Sequence, residues 1–111
     1  MLEQLVIRVN EFSEETDYGF QGWLDRGREW WKTRPGRAIE ADRLVVIDAS
    51  LKVMAVGKIH GVRKDIEQGS GRISVEVIPD PENEWIGKTI ERGTSRNPIA
   101  YMKNIVVIPQ E

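Results

Sequence analysis

The chain has 111 residues and no cysteine, and 16 Lys and Arg against 18 Asp and Glu give a formal net charge of −2. That length suits one domain whose core needs no covalent staples, and the missing cysteine excludes disulfides and cysteine-ligated zinc or iron–sulfur centres. A generic polyanion binder carries a pI above about 9, so any nucleic-acid contact has to come from a local patch.

The first residues, MLEQLVIRVNEF, place Leu5, Ile7 and Val9 on one face of an expected strand over 1–9. They carry neither a basic region nor an apolar stretch of signal-peptide length. The longest apolar runs, 44–47 and 105–108, are far too short to span a bilayer. A cytoplasmic protein with no membrane partner is the expectation. The acidic residues 11–17 read as an exposed loop in which Ser13 or Thr16 can cap the next helix.

Phe20, Trp23, Leu24, Trp30 and Trp31 recur at helical spacing, which predicts a tryptophan-rich helical segment near residues 19–32. Gly19, Gly22 and Gly27 each weaken it by about 1 kcal/mol relative to alanine. Arg34-Pro35-Gly36 is expected to end it, because proline disfavours helical geometry in the preceding residue. The pattern then turns to strands. Residues 44–48 form a nearly continuous β-branched run suited to burial on both faces, 49–52 a turn, and 53–62 the return strand of a hairpin. Gly57 and Gly61 inside that strand mark a bulge or bend, which in a small protein suggests a sheet curling toward a barrel.

After a polar connection over 65–71, residues 72–78 alternate as another strand. Residues 79–84 form an acidic loop, 85–90 a weak element, 93–98 a second loop, and 105–108 the expected last strand. No internal repeat or low-complexity linker is present.

The segment AIEADRLVVIDASLKVMAVGKIHGV, from Ala38 to Val62, resembles the central hairpin of PUA-like domains, the superfamily that includes the ASCH and EVE branches. Ala41-Asp42 stands where Gly-Asp is usual, and Val56-Gly57-Lys58-Ile59-His60-Gly61-Val62 matches the small-residue run of the return strand. The resemblance implies a mainly β fold with short helices (α+β), a PUA-like small β-barrel or pseudobarrel over 1–111. It also implies recognition of RNA or a modified nucleobase.

Two segments carry candidate chemistry. In REWWKTRPGR, Arg28, Lys32, Arg34 and Arg37 flank Trp30 and Trp31. Cations hold phosphates and aromatic faces stack on bases at about 1–3 kcal/mol each, so this interleaving suits a nucleic-acid surface. The competing account is a tryptophan anchored in the core beside a solvated basic face. In ERGTSRNP, Ser95, Arg96 and Asn97 suit reading of phosphates or base edges, with Tyr101 close behind; turn residues are also polar for local reasons. Trp85, and less so Trp23, can complete an aromatic cage, although large rings are equally what a small core needs.

His60 is the only histidine and has no cysteine partner, and no compact metal-ligand spacing occurs, so neither a metal nor a cofactor is expected. Gly69-Ser70-Gly71 does not lie at a strand-to-helix turn and is no phosphate loop. An ASCH-type amidohydrolase acting on acylated nucleosides is the alternative, resting on Lys32, Thr33 and Glu40. A protein–protein interaction module is the third reading.

Overall fold

A computed structural model describes residues 3–29, 31–92 and 97–109. Five strands and two helices follow one another in the order β1 (Gln4–Arg8), α1 (Gly19–Arg28), α2 (Pro35–Glu40), β2 (Arg43–Ile47), β3 (Val53–Lys64), β4 (Ile73–Pro79) and β5 (Ile99–Met102). They form one sheet in the order β4-β3-β2-β1-β5. β1 and β2 run parallel, with Leu5 level with Leu44 and Ile7 with Val46, and all other neighbours are antiparallel. A parallel pair needs a long crossover, and both helices lie in it.

The period-2 alternation of the central strands sorts their side chains onto two cores. Leu5, Ile7, Leu44, Val46 and Ala55 join Trp23 and Leu24 of α1 in one. Val6, Val45, Ile47, Val53 and Val56 form the other with Ile90, covered by residues around 85–90 and 105–107. Double burial explains why β2 reads as a continuous apolar run, and β1 buries Val6 on the second face beyond the single face read for it.

Gly27 is required by packing. A Cβ there would lie 2.2 Å from Cγ2 of Val46, so its absence lets α1 settle directly on β2. Gly61 marks a register shift between Ile59 and Gly61, where β3 bends toward its long arm with β4.

Several expectations are corrected. The sheet is open, with β4 and β5 as its edges, so no closed barrel forms among the described residues. The helical segment stops at Arg28, because Glu29 is already extended (φ −139, ψ 157) and Trp31 pairs by its backbone with Ile73. Neither Ser13 nor Thr16 caps α1; its N-cap is Tyr18 without a side-chain bond, and Ser13 opens a short 3-10 turn, Ser13–Glu15. Pro35 does not end a helix but begins α2, where its missing N–H costs nothing. The last strand is Ile99–Met102, paired with β1, whereas 105–108 contributes only a bridge from Val107 to Ile90.

Candidate functional site

The segment after α1 crosses one mouth of the sheet. Trp31 and Ile73 of β4 exchange two backbone hydrogen bonds of 2.9 Å. Two residues on, the Thr33 hydroxyl lies 2.9 Å from the Tyr101 hydroxyl of β5. Because β4 and β5 are the two sheet edges, residues 31–33 strap them together. Arg34 then turns the chain into α2, and the Arg37 guanidinium stacks 4.1 Å above the Tyr101 ring. Arg37 also donates to Glu3 at 3.0 and 3.4 Å, and that carboxylate raises its pKa. Lys32, Arg34 and Arg37 are all exposed along this strap.

Trp31 is half-buried against the helix-side core, and its indole N–H donates to the Gly27 carbonyl at 2.8 Å. Its ring lines a cleft of about 610 Å³ whose charged groups are Glu11, Asp25, Glu29 and Arg26. Three carboxylates against one guanidinium make that side of Trp31 unfavourable for phosphate. Within it, Arg26 stacks 3.6 Å above Tyr18, and Tyr18 donates to Glu11, a bond that raises the tyrosine pKa. Arg28 is drawn toward the same cleft, donating to Asp25 at 3.1 Å and to Ser74 at 3.4 Å. The basic surface therefore lies on the outer side of the strap, at Lys32 and Arg34, and not in the cleft beside Trp31.

The strap does not gather every expected residue. Trp85 is half-buried but packs against the other core, on the opposite face of the sheet. Trp23 is only 2% exposed and meets Tyr18 edge-on in the helix-side core, so it forms no cage wall. Asn97 is exposed; its side-chain oxygen accepts from the Ile99 amide at 3.0 Å, and its carbonyl accepts from Arg92. Three residues of extended chain separate it from Tyr101, four steps or about 13 Å. Trp30, Ser95 and Arg96 lie outside the described residues.

For the amidohydrolase reading, Thr33 is turned to Tyr101, Lys32 and Glu40 are exposed, and no hydrogen bond among the described residues joins the three. His60 is exposed on β3. Among the described residues no group of three His, Asp or Glu is placed to hold a metal.

One part of the surface was not legible in the sequence. The Trp31–Ile73 pair brings Lys32 beside Arg72, and Pro35 faces Lys64, Ile66 and Arg72 across a second cleft of about 390 Å³. Residue 72 reads as the start of a strand, but nothing in the sequence signals that residues 31–35 lie against it. No family model, curated protein or solved structure matches the chain.

Proposed function

We propose that this chain is a nucleic-acid-binding domain, of the PUA-like kind its central hairpin resembles, and that it holds RNA or a modified nucleobase on the outer side of the strap. The observation that supports this reading most is the pairing state of its cations. Arg28, Arg37, Arg43 and Arg63 each have a carboxylate partner. Among the described residues neither Lys32 nor Arg34 has one; both are exposed, Lys32 between the two pinned residues Trp31 and Thr33 and Arg34 directly after them. Exposed cations on a tethered backbone provide phosphate contacts. Arg37, already neutralised by Glu3, acts mainly by ordering Tyr101.

The double variant Lys32→Glu/Arg34→Glu should weaken binding of a labelled single-stranded oligonucleotide at low salt at least about tenfold, because two phosphate contacts become repulsions. Its thermal unfolding should match that of the parent chain, since neither side chain is buried. Fluorescence anisotropy with RNA and DNA, plain and methylated, makes the measurement. Affinity unaltered by the double charge reversal contradicts the proposed surface.

A further inference from the structure

Resting on that reading, we propose that the tip of the β3–β4 hairpin is the second wall of the binding surface, with Ile66 packing on a base of a single strand laid between the tip and residues 32–35. Ile66 is 85% exposed, the most exposed large apolar side chain of the described residues. Fraying does not account for it, because the tip is tied internally. The Asp65 carboxylate accepts from the Gln68 amide at 3.2 Å and the Ser70 hydroxyl at 2.6 Å. The Ser70 hydroxyl accepts from the Arg72 amide at 3.2 Å, and the Asp65 amide donates to the Arg72 carbonyl at 3.1 Å. The isoleucine is thus held out into water on an ordered turn.

Size and charge identify what it meets. The cleft between the tip and Pro35 measures about 390 Å³, at the lower end of the roughly 300–1,000 Å³ of small-ligand sites. That is room for a nucleotide-sized unit and far too little for a duplex. Lys64 and Arg72 line it, Arg34 precedes the lining Pro35, and the Trp31–Ile73 register sets Lys32 opposite Arg72; none of the four has an ion-pair partner among the described residues. Asp65, which lines the cleft, and Glu67 are the carboxylates at the tip and balance Lys64 and Arg72, so the excess of cations comes from Lys32 and Arg34 of the strap. An apolar side chain between cations matches how proteins wedge aliphatic groups against bases while Lys and Arg hold phosphates.

The test uses a single strand of about ten nucleotides carrying one 2-aminopurine, and the matching duplex, with the full chain and its Ile66→Ala and Arg72→Ala variants. Ile66→Ala is expected to weaken single-strand binding about fivefold or more and to abolish the change in 2-aminopurine emission, with the salt dependence unchanged. Arg72→Ala is expected to reduce the salt slope by about one phosphate contact. An Ile66→Ala variant that binds and perturbs the probe like the parent chain overturns this inference. If Lys32→Glu/Arg34→Glu still weakens binding about tenfold in that case, the broader reading survives. Duplex bound as tightly as single strand also overturns the inference, and a parent chain that binds no oligonucleotide overturns both.

Discussion

Replacing Asp48 with alanine should lower the free energy of unfolding by about 3–5 kcal/mol, the loss expected when a buried carboxylate that anchors a hydrogen-bond network is removed. Asp48 is 1% exposed at the end of β2. Its carboxylate accepts from the Ser13 amide at 3.1 Å, the Ser50 amide at 2.9 Å, the Ser50 hydroxyl at 2.7 Å and the Lys52 amide at 2.9 Å. One side chain therefore ties the β2–β3 turn to the 3-10 turn before α1. Alanine leaves the half-buried Ser13 and Lys52 amides without an acceptor, beside the exposed Ser50. A chain of this length has about 5–15 kcal/mol of stability, so Tm should fall by roughly 15 °C or more. Asp48→Asn, which keeps one acceptor oxygen, should fall between the two. Calorimetry of the three proteins checks the order, and an alanine variant within 1 °C of the parent would contradict the assignment.

The same carboxylate sets an acid limit. Burial pushes the Asp48 pKa up, but the bonds from Ser50, Lys52 and Ser13 outweigh that and hold it below the ordinary 3.8. A depressed carboxylate contributes stability that is full above the unfolded-state pKa and is lost as pH falls through the folded-state value. Stability should thus hold above pH 3.8 and drop below it. Asp65, also depressed by its bond from the Ser70 hydroxyl, adds in the same direction. Asp48→Ala should flatten the acid limb without removing it.

Gly27→Ala carries the second large effect. By helix propensity alone it should gain about 1 kcal/mol. The new methyl would instead lie 2.2 Å from Cγ2 and 2.9 Å from Cγ1 of Val46, a fully buried residue of a central strand. Overpacking of a core typically costs about 1–3 kcal/mol, and displacing α1 also loosens Trp23 and Leu24. A net loss of about 1–2 kcal/mol is expected, with the Trp31 indole bond to the residue-27 carbonyl strained as α1 shifts. Val46→Ala removes the clashing methyls, so the double variant should be more stable than the sum of the single effects predicts, by about 1.5 kcal/mol. Simple additivity in denaturant unfolding would contradict the contact.

How much of this was legible in the sequence follows from which forces act locally. The strands of the 44–62 hairpin and 72–78 could be read because side-chain alternation and β-branching report burial directly. The glycines of α1 could be seen but not understood: Gly27 reads as a helix defect until Val46 is placed beneath it. The end of α1 was misread because the apolar spacing continues to Trp31, while the backbone of Trp31 is claimed by Ile73, 42 positions away. Pro35 gave the same signal for ending a helix as for starting one. Of the candidate site, the basic and aromatic character of residues 28–37 was evident. Which cations are neutralised was less so: Asp25 meets Arg28 at i,i+3 spacing on α1, but Glu3 reaches Arg37 only through the fold. Tyr101 was placed near the site by sequence proximity to residues 91–98, but it reaches the strap through β5 and Thr33.

The central claim, an outward cationic strap that holds a single nucleic-acid strand, is tested most directly by the salt dependence of binding. Each phosphate neutralised on a single strand contributes about −0.7 to the slope of log K against log salt. If Lys32, Arg34, Lys64 and Arg72 each hold one, the slope between about 50 and 200 mM salt should be about −3. In Lys32→Glu/Arg34→Glu it should fall to half that value or less. A slope near zero in the parent chain, or one that the double charge reversal leaves unchanged, would contradict the account.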